Sequence, residues 1–140
     1  MEGLRRRGFD AEGVLLPFGA EAACERFLEV AEAADVVAGV SFGGRVASLA
    51  AARATFRGLL CFSYPLRDRG AERTAHWPGI ACPALLVSGD ADPWAPVDEL
   101  KSRLELLRNG RLELIEGAGH SLDPELALER ALPFLATLRG

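Results

Sequence analysis

Long apolar runs are missing from this chain of 140 residues. None approaches the roughly 20 residues that a membrane-spanning helix needs. The opening "MEGLRRRGFD" carries a basic patch with no apolar segment behind it, so no secretory leader is expected. Cysteine is scarce: Cys24, Cys61 and Cys82 are three in number, show no C-x-x-C spacing and lie in apolar surroundings. That excludes a disulfide framework and a cysteine-based metal site, and predicts reduced core thiols. Net positive charge is lacking as well, the formal balance being −4. An electrostatic grip on nucleic acid or on an anionic membrane is therefore not expected. Together these absences describe a soluble cytoplasmic protein.

What remains is a chain with 49% hydrophobic and 26% charged residues, enough to build one core in one domain spanning 1–140. Short apolar runs alternate with longer amphipathic ones, the pattern of parallel strand–helix units. Strands are expected at Glu12–Phe18, "DVVAGV", "RGLLCFSYP", "CPALLVSG" and "RLELIEG". Helices are expected between them. "EAACERFLEVAEAA" has Ala23, Phe27, Val30 and Ala34 at helical spacing, and "FGGRVASLAAARA" is alanine-rich. "PVDELKSRLELLRNG" presents Val97, Leu100, Leu104 and Leu107 on one face, with Gly110 as a left-handed cap. Asp123-Pro124 should cap and open a last helix through Leu138, with a kink at Pro133. Leu66–Ile80 reads as a polar, arginine-rich excursion. The fold class is α/β, a three-layer α/β/α sandwich around a mainly parallel sheet of about five strands.

In such sheets ligands gather beyond the carboxyl ends of the strands, so the residues just after each strand carry the functional argument. Gly39-Val40-Ser41-Phe42-Gly43 is a G-x-S-x-G match between a strand and a helix. A serine on that sharp turn projects its hydroxyl above the sheet, with the first helical N–H groups, Phe42 among them, facing a developing oxyanion. The glycines on either side are expected to be small because strand and helix nearly touch; a turn that merely permits close packing would use the same residues. Asp92 follows the fourth expected strand, where a carboxylate could orient an imidazole, and Asp90 competes two residues earlier. Either could instead be a turn former. Only two histidines exist. His120 lies in a loop beside Gly117 and Gly119, whereas His76, next to Trp77, suits a structural hydrogen bond. Ser41, Asp92 and His120 each follow a different strand and can meet at one rim, in the chain order nucleophile, acid, base.

With these residues in view, the chain resembles the α/β-hydrolase superfamily, and within it the small lidless members related to dienelactone hydrolase. "AGVSFGGRVAS" resembles the nucleophile elbow, "GLLCFSYPL" the following strand of a subgroup with a similar Tyr-Pro, and "EGAGHSL" the histidine loop. "PALLVSGDADPWAP" resembles the Gly-x-x-Asp acid strand with Gly89 and Asp92 in place, which selects Asp92 over Asp90. The resemblance implies a minimal α/β-hydrolase fold and a serine hydrolase of esters or thioesters that needs no metal or organic cofactor. Its substrate would be a small-molecule acyl compound.

The resemblance breaks at the amino end. Family members have further strands there, one ending in a His-Gly loop that supplies a second oxyanion donor. Here the Glu12–Phe18 strand is expected to slide in beside Asp35–Val40, with the amide of Phe18 or Gly19 as the substitute donor. Phe18, Tyr64 and Trp94 are the expected substrate contacts. Arg67 or Arg69 could bind an acidic substrate, although solvated arginines are the commoner outcome. The alternative to an enzyme is a non-catalytic hydrolase-like module for binding or assembly. A homodimer would cover its shortened sheet edge.

Overall fold

A computed structural model describes residues 2–138. Four strands, β1 (Val36–Val40), β2 (Gly58–Phe62), β3 (Ala84–Gly89) and β4 (Gly110–Ile115), form one sheet in that order. Every neighbouring pair is parallel. Helices α1 (Glu2–Arg6), α2 (Ala20–Ala31), α3 (Phe42–Arg53), α4 (Gly70–Arg73), α5 (Val97–Leu104) and α6 (Pro124–Thr137) surround it. The core has two halves. On one face α2, α3 and α5 pack Phe27, Val46, Ala50 and Leu100 against Val37, Leu59 and Leu86. On the other, α6 packs Ala131, Phe134 and Leu135 against Leu60, Leu85 and Val87, with Leu4 of α1 beside them. Helices on both faces make the expected three layers, because a parallel sheet must be covered on each side.

The continuous apolar runs of β2 and β3 match central strands covered on both faces: four of the five residues of β2 and all six of β3 are buried. The inner face of α3 is Val46, Ala47, Ala50 and Ala51, small enough for the helix to lie close to β1 and β2. At α6 the Asp123 carboxylate accepts the Leu126 N–H at 3.3 Å, and Pro124 opens the helix as its sequence predicts. The helix continues through Pro133 to Thr137.

Two expectations fail. Glu12–Phe18 is not a strand, so the sheet has four strands rather than five and β1 is its edge. Val14 and Leu16 lean on the core, but Leu15 is 95% exposed and Phe18 fully exposed. An isolated extended segment needs a ladder partner, Pro17 can donate nothing to one, and β1 pairs only with β2. Gly110, expected as a left-handed cap after α5, is instead the first residue of β4 and has no positive φ. It is small for another reason: a Cβ there would lie 2.9 Å from the Leu107 Cβ.

The Leu66–Ile80 excursion is less polar than its arginines suggest. Leu66, Thr74, Trp77 and Ile80 are buried, and α4 and a 3-10 turn at Trp77–Gly79 lie within it. Cys24 and Cys61 are buried free thiols and Cys82 is a half-buried one. Among the described residues, no helix is long and apolar enough to cross a membrane.

Candidate active site

Parallel register brings the chemistry to one rim. Val40 pairs with Phe62, Phe62 with Val87 and Gly89 with Ile115, so all four strands end together. Ladder bonds continue just past the ends, from Ser41 N–H to the Phe62 carbonyl and from Ser63 N–H to that of Val87, each at 2.8 Å. Ser41, Ser63, Asp90, Asp92 and His120 therefore emerge side by side.

Ser41 sits between β1 and α3 at φ 53°, a conformation that non-glycine residues rarely hold. The strain is enforced by close approach. A Cβ on Gly39 would lie 2.2 Å from the Gly43 carbonyl carbon and oxygen, so only glycine fits there. At Gly43 the same test meets nothing within 4 Å, so the requirement for a small residue holds on the strand side and not two residues after the serine. Phe42 opens α3, and its N–H is one of the first-turn donors without an intrahelical acceptor.

Ser41 Oγ lies 2.9 Å from His120 Nε2, and His120 Nδ1 lies 2.8 Å from Asp92 Oδ2. The Asp92 side chain is wholly buried and that of His120 is 24% exposed. A carboxylate only accepts, so Nδ1 must carry the proton, and in the neutral ring Nε2 is left to accept from the serine hydroxyl. The other Asp92 oxygen accepts the Trp94 N–H at 2.9 Å, which satisfies a carboxylate that burial would otherwise penalise. Asp90 does different work: its Oδ1 accepts the Gly117 N–H at 2.8 Å and ties down the histidine loop. The competition between the two aspartates is thus resolved spatially, one facing the ring and the other the loop backbone.

Ser63 is a site residue that the sequence reading missed. Its hydroxyl donates to the His120 carbonyl at 2.7 Å, and it too is held at φ 53°. A polar residue directly after β2, in the position Ser41 occupies after β1, was the available signal. Gly89 supports the same loop from below, since a Cβ there would lie 2.2 Å from the Ala118 carbonyl oxygen.

The other expected contacts divide. Trp94 stacks on His120, ring centres 4.2 Å apart at 49°. Tyr64 does not face a substrate. It is buried, its hydroxyl donates to the Arg73 carbonyl at 2.5 Å, and burial above all pushes its pKa up to about 12. It belongs to a buried network under α3 in which the Ser48 hydroxyl donates to the Arg45 carbonyl and contacts His76 Nε2, both at 2.7 Å. Burial, reinforced by Arg45 and Arg53, lowers the His76 pKa to about 4, so this histidine is a neutral structural one. Gly19 heads α2, its carbonyl receiving the Ala23 N–H, and Phe18 projects into solvent. Neither lines the cleft over Ser41, because the segment they end never joined the sheet.

That cleft has a volume of about 430 Å³ and runs between β1, α1 and α6. Leu4, Val40, Phe62, Leu122 and Leu128 line it, with Ser41 and His120 at its floor. Glu125, which also lines it, pairs with Arg6 and Arg7 at 2.8 and 3.0 Å. Among the described residues no cluster of His, Cys, Asp or Glu could hold a metal ion.

The model of a family described as "alpha/beta hydrolase domain" matches residues 2–132. The chain belongs to this family. No curated protein matches it. Among solved structures, a bacterial membrane phospholipase A described as a virulence factor shares 19% identity with this alpha/beta hydrolase domain, at a TM-score of 0.72. The match covers 93% of this chain and 67% of that one. An alpha-beta serine hydrolase homologue from Coxiella burnetii shares 20% identity at 0.68, over 89% of this chain and 62% of its own. TT1662 from Thermus thermophilus shares 27% at 0.68, over 86% and 64%. The chain thus spans roughly two thirds or less of the length of these relatives.

Proposed function

We propose that this alpha/beta hydrolase domain is a serine hydrolase of carboxylic esters or thioesters acting through an acyl-enzyme. One observation carries the reading: a strained serine, a half-buried imidazole and a buried carboxylate in unbroken hydrogen-bond succession at 2.9 and 2.8 Å. Ser41 Oγ attacks the acyl carbon while its proton passes to His120 Nε2. The new C–O bond leaves negative charge on the carbonyl oxygen, facing the Phe42 N–H. Collapse expels the alcohol or thiol, which takes the proton from His120; water then repeats the sequence and frees the acid. Asp92 holds the ring in the required tautomer and stabilises its charged form. The cleft of Leu4, Val40, Phe62 and Leu128 suits an aliphatic acyl group.

Among the described residues the Phe42 N–H is the donor assigned to the oxyanion, and turnover is expected on the order of a hundredfold below that of a site with two. The second reading, a non-catalytic binding module, draws support from the same shortfall and from the unpaired β1 edge, where Val40 is 65% exposed. A fluorophosphonate probe separates the two. Labelling that disappears in Ser41→Ala and in His120→Ala supports the hydrolase; a folded parent protein that takes no label refutes it.

A further inference from the structure

The excursion after β2 ends on a construction that acyl transfer itself does not use. The Arg67 guanidinium carbon lies 4.1 Å from the centre of the Trp94 ring, and the same indole packs on His120 at 4.2 Å. Guanidinium, indole and imidazole therefore follow one another in contact. The backbone holds this arrangement: the N–H groups of Leu66 and Arg67 both donate to the Trp94 carbonyl at 2.9 Å. Doing so puts Arg67 at φ 48° and Asp68 at φ 60°, two successive non-glycine residues in left-handed backbone.

Charge around it is unbalanced. Arg5, Arg6, Arg7, Arg26, Arg53, Arg57 and Arg130 each pair with a carboxylate. Among the described residues Arg67 pairs with none, and neither do Arg45, Arg69 and Arg73. These four gather on one face: after burial, repulsion from Arg45, Arg69 and Arg67 lowers the Arg73 pKa. Asp68 and Glu72 are exposed in the same segment but form no ion pair with these four, which leaves the guanidinium on Trp94 without a carboxylate partner among the described residues.

We propose that Arg67, laid on Trp94, is a specificity-determining shelf for an oxyanion, and that the substrates carry a carboxylate or phosphate on the leaving-group side. The assignment of side rests on the proposed hydrolase reading. His120 must reach the leaving atom to protonate it; Trp94 packs on that ring, and Arg67 lies on the indole. The apolar cleft, which neither residue lines, is left for the acyl chain. A guanidinium fork matches either oxyanion, and the indole face preorganises it.

The test compares 4-carboxyphenyl butyrate with its neutral counterpart 4-carbamoylphenyl butyrate. In parallel, 4-hydroxybenzoate and phenyl phosphate are titrated against tryptophan fluorescence, with Trp94→Phe identifying the responding ring. The expected result is a preference of about tenfold in kcat/KM for the carboxylate ester, carried by KM. It should shrink at high salt and fall to about one in Arg67→Gln. The titration tells carboxylate from phosphate by which compound binds more tightly. Equal turnover of the two esters by the parent, or equal losses on both in Arg67→Gln, overturns the shelf. If neither ester is cleaved and no fluorophosphonate label forms, yet the anions still shift Trp94 fluorescence in the parent and not in Arg67→Gln, the hydrolase reading falls and the shelf stands. With no fluorescence response either, both fall.

Discussion

Substituting alanine at Gly39 and, separately, at Gly43 tests the geometry on which the site depends. The two glycines flank Ser41 symmetrically in sequence, yet their surroundings differ. At Gly39 a new Cβ would lie 2.2 Å from two Gly43 backbone atoms and 2.5 Å from the Gly44 nitrogen. Comfortable carbon contacts need about 3.5 Å or more. No side chain can swing away, so the first turn of α3 must retreat by about 1 Å from β1. Overpacking of this kind costs about 1–3 kcal/mol, and a backbone obstacle places Gly39→Ala at the upper end. Because Ser41 joins the two displaced elements, its hydroxyl should also leave the imidazole, with a loss of labelling rate on the order of a hundredfold. At Gly43 nothing lies within 4 Å and φ is not positive, so alanine should fit. It should be neutral or gain up to about 0.5–1 kcal/mol from helix propensity. Urea unfolding gives the stabilities, and fluorophosphonate labelling gives the rate in each folded variant. If Gly43→Ala loses as much as Gly39→Ala, or Gly39→Ala stays within about 0.5 kcal/mol of the parent, the close-approach account of the elbow is wrong.

Three further outcomes follow from the same structure. His76, whose pKa is lowered to about 4 in the folded protein, takes up a proton near its ordinary value when unfolded. Stability is therefore full above about pH 6.5 and declines as pH falls toward 4. Partial exposure reduces the effect to about 1–2 kcal/mol. Urea titrations at pH 7.5 and 4.5 should show the decline, and His76→Gln should flatten it. Ser63→Ala and Ser63→Gly both remove the bond to the His120 carbonyl; each should slow labelling of Ser41 by about three- to tenfold. Agreement between them separates the lost bond from the strain at φ 53°, which only glycine relieves. Gly89→Ala forces the Ala118 carbonyl away and should cut labelling by about a hundredfold while near-native far-UV circular dichroism persists.

Much of this architecture was legible because strand, helix and chemistry alternate in the chain. Each buried strand is too short and too β-branched or leucine-rich to be read otherwise, and each polar residue directly after one lands on the same rim. What misled was context that no local pattern carries. Glu12–Phe18 has strand composition and keeps an in-and-out alternation, Val14 and Leu16 inward and Leu15 outward. Pairing, however, depends on a neighbouring edge, and β1 offers its only ladder to β2. The loss of that strand carried Phe18 and Gly19 away from Ser41. Tyr64 failed for a related reason. A tyrosine just after a strand can turn up toward the rim or down into the core, and here the Arg73 carbonyl and the Ser48–His76 pair draw its hydroxyl inward.

The roles that reading along the chain passed over are those exerted on backbone rather than on side chains. Ser63, Asp90 and Gly89 all hold the loop that carries His120: one bonds its carbonyl, one bonds the Gly117 amide, and one stays small so that Ala118 can approach. A motif search looks for groups that react, and none of these does. Yet an imidazole on a loop with two glycines has many rotations available, and a 2.9 Å contact with Ser41 needs one of them fixed. The physical content of the site is thus larger than its three reacting side chains. Asp90, two residues upstream of the acid and weighed from sequence as a turn former, instead acts across the site, its carboxylate holding the Gly117 amide of the histidine loop.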